Sequence, residues 1–518
     1  MKIPVIILLI LNMLSVSAQH LNVLVGNQRN PNEPSITINP RNTQQMLAGA
    51  NIDNYYYSSD GGYTWQNNRL FSPQLGVWGD PCVIVDTAGS FYFFHLSNPV
   101  GGAWIDRIVC QRTDDFTVTW TDGTGIGLDG TKAQDKEWAV VDPANNNIYV
   151  TWTQFDTYGS SNPNDSSIIR FSKSTDQGET WSEPKRLSQV AGDCIDSDNT
   201  VEGAVPAVGP EGQIYVAWAG PEGIVFDRSL DGGETWLEND IFVSDFPGGW
   251  DINIPGILRS NGFPVTVCDL SAGPNRGTIY INWSDQRNGT TDTDVWLVKS
   301  TDRGNTWSER VRVNDDEPGR HQFFNWMAVD QVTGKLWFVF YDRRNYTDTQ
   351  TDVYMALSED GGETFINFKV SESPFVPNPS IFFGDYNNIS AHNDVVRPIW
   401  TRLHENQLSI HTAIVDIEAV GVSELPDSKP IANVSAWPNP FRQTTAFSFR
   451  IKDNARVSLS LYDLTGRKLM VLIDDQLLSA GRYTEHLNPE AHNLAAGVYN
   501  FELITPAGRY CHKVVYAP

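Results

Sequence analysis

Acidic side chains recur along the chain, each just ahead of a short apolar run. The runs are PSITI (34–38), PCVIV (81–85), WAVV (138–141), AVPAV (204–208), PVTV (264–267) and WMAV (326–329). A seventh segment, GDYNNISAH, opens at Gly384. The residues ahead of them are Glu33, Asp80, Glu137, Glu202, Asn325 and Asp385, and Phe263 breaks the series. If the runs are equivalent strands, several carboxylates meet at one end of the fold. Clustered carboxylates raise one another's pKa, or hold a cation or a polyhydroxyl ligand. A pair of them can do general acid–base work, which makes Asp80, Glu137 and Asp385 the catalytic candidates. The alternative for each residue taken singly is a loop cap or an ion pair with a nearby arginine.

Other residues could complete such a site. WSDQRN (283–288) and FYDRRN (340–345) share an aromatic-x-Asp-x-Arg pattern. Because the pattern occurs twice, Asp285 with Arg287 and Asp342 with Arg344 read as loop braces. Arg343 is then the arginine left for a ligand. Tyr341 and Tyr386 are candidates for stacking on a sugar, although tyrosine also fills cores. Arg29 lies just ahead of Glu33. The loop GDCIDSDNT (192–200) sets Asp193, Asp196 and Asp198 close together, an oxygen cluster of the kind Ca²⁺ takes. A solvated acidic loop is the plainer reading, and no cofactor is required by any motif.

These candidates need a repeated scaffold, and the sequence carries one. Five octapeptides follow Ser-x-Asp-x-Gly-x-Thr-Trp/Phe, at Ser58–Trp65, Ser174–Trp181, Ser229–Trp236, Ser300–Trp307 and Ser358–Phe365. The first spacing is about double the others, and Thr113–Trp120 (TDDFTVTW) fills the gap as a degenerate copy without the glycine. Their aspartates are Asp60, Asp115, Asp176, Asp231, Asp302 and Asp360. Aspartate can accept backbone N–H bonds within the turn, glycine permits positive φ, and the aromatic residue packs between sheets. The boxes are structural.

Around each box the strand signals repeat in fours: an inner strand, a second such as IYVTW or LWFVF, a third leading into the box, and a fourth after it. Residues 384–418 begin a seventh unit that stops without a box, and LNVLVGN (21–27) can supply its outer strand. The fold class is all-β: a seven-bladed β-propeller over 20–418, with six blades as the alternative, then a small Ig-like β-sandwich. The boxes then lie at one end of the sheets, and the inner-strand starts with the loops between second and third strands at the other.

The first 19 residues read as a secretory signal, with Lys2, an apolar run Ile3–Leu14 and Val16-Ser17-Ala18. No later segment reaches membrane-spanning length. Residues 20–432 hold 27 Lys/Arg against 55 Asp/Glu, whereas 433–518 hold 9 against 7. The charge step places a linker at 419–432 and a second domain at 433–518. So acidic a first domain argues against a nucleic-acid partner. Five cysteines without a Cys-x-x-Cys pair give neither a disulfide framework nor a zinc site. Cys82 and Cys268 read as buried thiols, and Cys194, in the acidic loop, as an exposed one.

The octapeptides resemble those of the Asp-box (bacterial neuraminidase repeat) family of sialidase-like β-propellers, over residues 20–418. That resemblance implies glycan chemistry: three arginines on a sugar carboxylate, a tyrosine nucleophile assisted by a glutamate, and an aspartate acid–base. The family's first arginine sits in Arg-Ile-Pro, whereas Arg29 is followed by Asn-Pro. Seven units instead of six, and a carboxylate ring facing an anionic sugar, argue against conventional exo-sialidase action. Residues 433–518 resemble the C-terminal sorting domain of the type IX secretion system, through WPNPF (437–441), VSLSLYDLTGRKL (457–469), AGRY (480–483), LAAGVYNFEL (494–503) and KVVY (513–516). It implies type IX machinery as a partner and a secreted or surface-attached product. The expected function is therefore an exported propeller that acts on or binds glycans or glycoproteins, with a divergent glycosidase as one form. A non-catalytic adhesion module is the alternative, and a lyase on the same scaffold a third.

Overall fold

The computed structural model describes residues 20–417 and 420, and within 431–518 all but 438, 440, 452, 453, 464–466, 480, 493, 506 and 507. The secretory signal and most of the linker lie outside the described residues. The chain forms two compact units, Met1–Gly421 and Val422–Pro518. The all-β expectation holds, and nearly all described structure is strand.

Among the described residues, the first unit holds seven four-stranded antiparallel sheets. Their first strands are Ser35–Ile38, Cys82–Val85, Ala133–Val141, Glu202–Val208, Val265–Cys268, Gln322–Val329 and Asn388–His392. Each first strand packs on that of the next sheet, and the seventh packs on the first, so the series closes on itself. The seventh sheet takes its outer strand from the start of the chain: Leu21–Gly26 pairs with Gln407–Ile414, Leu21 facing Ile414. That pairing joins the two ends of the array and covers an otherwise open edge.

The second strands form the middle of the core. Ile148–Phe155 and Leu336–Asp342 are buried along their whole length, as strands covered on both faces must be. Trp152, Trp218, Trp283, Trp337 and Trp400, one from each of five second strands, are fully buried. In the second unit a three-stranded sheet (Ile431–Trp437, Thr445–Ile451, Gly481–Leu487) and a four-stranded one share a core of Phe447, Phe449, Leu459 and Phe501.

All six octapeptides build one turn. In the Ser300–Trp307 copy, Asp302 accepts from the Thr306 N–H at 2.9 Å, the Thr306 hydroxyl at 2.6 Å and the Ser300 hydroxyl at 2.8 Å. Gly304 sits at φ 82°, where an added Cβ would lie 2.3 Å from the Phe226 ring of the preceding sheet. Thr113–Trp120 makes the same carboxylate bonds through Asp115, with Thr117 at φ 73° in the glycine's place. The aromatic end reaches the preceding sheet: Trp307 meets Phe226 edge-on at 5.1 Å, and Trp236 meets Phe171 at 4.9 Å.

The hydrogen bonds to Asp302 hold its carboxyl down at about 2, against a small opposing effect of burial. Its folded value lies below the ordinary 3.8, so its contribution is present above pH 4 and is lost as pH falls towards 2. Asp302→Ala is expected to destabilise the first unit by about 1–2 kcal/mol at pH 7. The deficit should shrink between pH 4 and pH 2, read by urea denaturation with tryptophan fluorescence.

Candidate functional site

The residues ahead of the first strands have an unusual backbone. Glu33, Asp80, Lys136 and Phe324 have φ of 53°, 52°, 52° and 51°, and Gly203 and Gly384 have 75° and 93° at the matching places. Left-handed backbone at four non-glycine residues is uncommon and gathers at functional sites. In three sheets the position is a bulge, between Asp135 and Trp138, Glu202 and Val205, and Phe323 and Trp326. A bulge re-aims the side chains around it.

This backbone corrects the expected ring of carboxylates. Glu33 and Asp80 occupy the left-handed position itself. Glu137, Asn325 and Asp385 come one residue later, and Glu202 one residue earlier. The acidic side chains therefore point to different places. In the third sheet the position shared with Glu33 and Asp80 belongs to Lys136, a cation.

Lys136 is the centre of the site. Its Nζ lies 2.9 Å from Asp80 Oδ2 and 2.8 Å from Asp385 Oδ2, and all three side chains are buried. Arg259, from the long connection between the fourth and fifth sheets, donates through Nε to Asp385 Oδ1 at 2.8 Å and through Nη2 to the Oδ2 that Lys136 also contacts. Its Nη1 reaches Asp196 at 2.7 Å, and the Tyr158 hydroxyl donates to the same Asp196 oxygen at 2.6 Å. Burial works against charge on Asp385, but Arg259 and Lys136 outweigh it and hold the carboxyl well below the usual range. Burial likewise opposes charge on Lys136, and Asp385 and Asp80 keep it firmly protonated.

The remaining carboxyls are pushed the other way. Burial, then the neighbouring Asp80 charge, raises Glu33 well above the ordinary range, and Asp80 stands within hydrogen-bonding reach of it. Asn51 ties the two together: its Nδ2 donates to Glu33 Oε2, and its Oδ1 accepts from the Asp80 N–H at 2.7 Å. Burial pushes Asp135 up to about 8, with Lys136 pulling against it. Glu137 and Glu202 are raised by burial and then by Asp80 and Asp196 respectively. Among the described residues, none hydrogen-bonds to the carboxyl oxygens of either.

A cleft of about 380 Å³ opens above this network, with Glu33, Asp80, Asp135, Lys136, Arg259 and Asp385 in its wall. Trp78 and Trp104 stand at the cleft, 38% and 43% exposed. Their rings meet edge-on at 6.0 Å, and Trp104 meets Tyr158 at 5.6 Å. Exposed tryptophans beside hydrogen-bonding groups suit a ligand with apolar faces and hydroxyl edges. A second cavity, of about 20 Å³, shares Lys136 and Asp385 with the cleft and is otherwise lined by Trp138, Asn325, Trp326 and Tyr386 among others. Trp138 packs on Trp326 at 4.3 Å and on Tyr386 at 4.9 Å, joining the third, sixth and seventh sheets.

The structure brings Glu33, Asp80, Asp385 and Arg29 to the cleft wall. It keeps Glu137 and Glu202 off that wall, buried behind it. Asn325 accepts from the Ser284 hydroxyl at 2.6 Å and donates to Asn282 at 2.8 Å. Tyr386 is buried in the aromatic cluster, not offered to a sugar, and Tyr341 is fully buried with its hydroxyl on the Thr401 carbonyl. Arg343, expected to be available, is buried over the Phe323 ring and donates to Thr351 and the Pro255 carbonyl. Carbonyl and ring contacts replace the carboxylate partner that Arg287 and Arg344 have in Asp285 and Asp342.

The acidic loop is divided among separate partners: Asp193 takes the Thr200 hydroxyl, Asp196 takes Arg259, and Asp198 takes the Asp251 N–H. No group of three such side chains placed to hold a metal ion occurs among the described residues. Cys194, expected at the surface, is buried. Sequence reasoning missed Lys136, Arg259, Trp78, Trp104 and Tyr158. Trp78 was the most findable, two residues from Asp80 in a connection with no core pattern.

No family model matches the chain, and no curated protein matches it. Among solved structures it is similar to the Hadza microbial sialidase Hz136, at 15% identity, TM-score 0.40, over 73% of this chain and 74% of that one. It is similar to the GH93 α-L-arabinofuranosidase of Fusarium graminearum, at 12% identity, TM-score 0.43, over 62% and 92%. It is also similar to a PL25 ulvan lyase, at 13% identity, TM-score 0.45, over 76% and 95%.

Lys136→Met leaves Asp80 and Asp385 without their shared cation. It should destabilise the first unit by about 3–5 kcal/mol, read by urea denaturation. Asp135 tests the opposite sign. Its folded value is raised from 3.8 to about 8, so its contribution is full below pH 4 and declines as pH rises through 8. Asp135→Asn should flatten part of the stability loss between pH 4 and pH 8.

Proposed function

We propose that the first unit is a seven-bladed β-propeller and that its cleft takes a glycan, with Glu33 as the proton donor for cleavage of a glycosidic bond. One observation carries this reading: a buried carboxyl whose proton affinity is raised by burial and by the ion-paired Asp80 beside it, in a cleft flanked by two exposed tryptophans. The tryptophan rings would lie against the apolar faces of sugar rings. Glu33 would protonate the departing oxygen as the glycosidic bond breaks, Asp80 would stabilise the positive charge that builds on the sugar ring, and a water molecule would add to the anomeric carbon and release a proton to solvent. The two carboxyls differ in role because they differ in surroundings, Asp80 touching Lys136 and Glu33 touching an amide.

A non-catalytic glycan receptor is the second reading. It is favoured by the chain of ion pairs from Asp80 through Lys136, Asp385 and Arg259 to Asp196, which makes a rigid and internally satisfied surface. Residues 1–19 are proposed as an export signal and 433–518 as a type IX sorting domain, which would deliver the first unit to the cell surface or the medium. The motifs at 437–441 and 457–469 support that assignment.

The test is turnover of a panel of fluorogenic glycosides by the full chain and by Glu33→Gln. The wild type should turn over at least one substrate, and the variant should lose about 10²-fold or more in kcat. Because burial and the Asp80 charge push Glu33 well above the ordinary range, kcat should persist above the pH at which an ordinary carboxyl loses its proton and should fall at higher pH. Absence of turnover on every substrate, with glycan binding retained, selects the receptor reading.

A further inference from the structure

We infer that the cleft selects neutral glycans over acidic ones, because the cations in its wall are already engaged by the protein's own acceptors. The inference rests on the glycan reading of the cleft and names its ligand class. Three cationic side chains line the cleft: Arg29, Lys136 and Arg259. Lys136 is divided between Asp80 and Asp385. Arg259 spends its Nε and Nη2 edge on Asp385 and its Nη1 on Asp196. Arg29 donates to Asn54 Oδ1 and has Asp53 3.6 Å from its Nε.

A sugar carboxylate is held best by a planar fork of two free N–H groups. Arg259 would have to leave Asp385 to offer one, stranding a buried charge. Without such a fork, an acidic sugar would bring its charge close to Asp80 and Asp385 and be repelled.

An unengaged polar atom in the wall points the same way. Asn32 Oδ1 is buried and has no hydrogen-bond partner among the described residues, and its side chain lines the cleft. Buried acceptors call for donors, and unpaired they are costly. Sugar hydroxyls donate, whereas an ionised carboxylate only accepts. Stacking on Trp78 and Trp104 uses the C–H faces of a sugar and needs no charge.

The test titrates the full chain at pH 7 and low salt with two sets of oligosaccharides, followed by tryptophan fluorescence and calorimetry. One set is built from neutral hexoses and pentoses, the other from uronic acids or capped with sialic acid. At least one neutral ligand should bind, with the acidic ligands about tenfold weaker or more. Acidic ligands binding as tightly as neutral ones overturns the inference and leaves the glycan reading standing. Binding of neither set overturns the glycan reading and this inference with it.

A second arm uses Asp196→Asn, which frees Arg259 Nη1 from its charged partner. Affinity for acidic ligands should rise about tenfold, the effect of one charge-assisted hydrogen bond. A folded variant with unchanged affinity for acidic ligands shows that engagement of the arginine is not what excludes them, and overturns the inference. Should Asp196→Asn not fold, Asp53→Asn makes the same test at Arg29.

Discussion

One buried ammonium organises the site. Lys136 comes from the third sheet and meets Asp80 of the second and Asp385 of the seventh. Burying an ammonium costs several kcal/mol, and one carboxylate rarely offsets that in full. Two carboxylates, with Arg259 behind one of them, change the balance. The arrangement closes only if the three strand starts hold their relative positions. The ion cluster and the closed ring of first strands thus depend on each other. The left-handed backbone at Glu33, Asp80 and Lys136 fits that account, since strained φ persists only where its surroundings over-determine it.

The two ends of the sheets divide the work. At one end, six turns repeat a local pattern in which aspartate, serine and threonine satisfy one another within eight residues. These turns carry little long-range information and tolerate change, as Thr117 in place of glycine demonstrates. At the other end, few side chains are satisfied locally. Arg259 and Asp385 are 126 residues apart in sequence, and Lys136 and Asp80 are 56 apart. The buried titratable groups gather at the end where pairing is non-local and each sheet contributes something different.

That division also sets what could be read from the sequence. The repeats were legible because their chemistry is local: carboxylate, glycine and aromatic residue stand at fixed offsets. The strand from Leu21 to Gly26 was legible because the seventh unit lacked a partner. The site was half legible. Glu33, Asp80 and Asp385 were found as acids ahead of apolar runs, and they do line the cleft. The same alignment took Glu137 and Glu202 with them, because a bulge shifts register by one residue and sequence spacing does not report it. Lys136 was invisible for the same reason, one place before the expected Glu137. Arg343 was misread because a guanidinium can be buried with one carbonyl, a hydroxyl and a ring face as partners, even though its Nη2 has no hydrogen-bond partner among the described residues.

The cluster also explains how similar carboxyls come to hold different protonation states in one small volume. Lys136 and Arg259 offer positive charge along one line, through Asp80, Asp385 and Asp196. Carboxyls on that line keep their charge at Asp385 despite deep burial. Carboxyls off it have burial and like charge but no cation in direct contact, and the proton affinities of Glu33, Glu137 and Glu202 are raised. Of those three, only Glu33 faces the cleft. Geometry thus sets one carboxyl of raised proton affinity in the cleft wall and leaves the other two out of it. Arg259 and Lys136 hold Asp385 down despite its burial, whereas burial and the Asp80 charge raise Glu33 against the pull of Lys136.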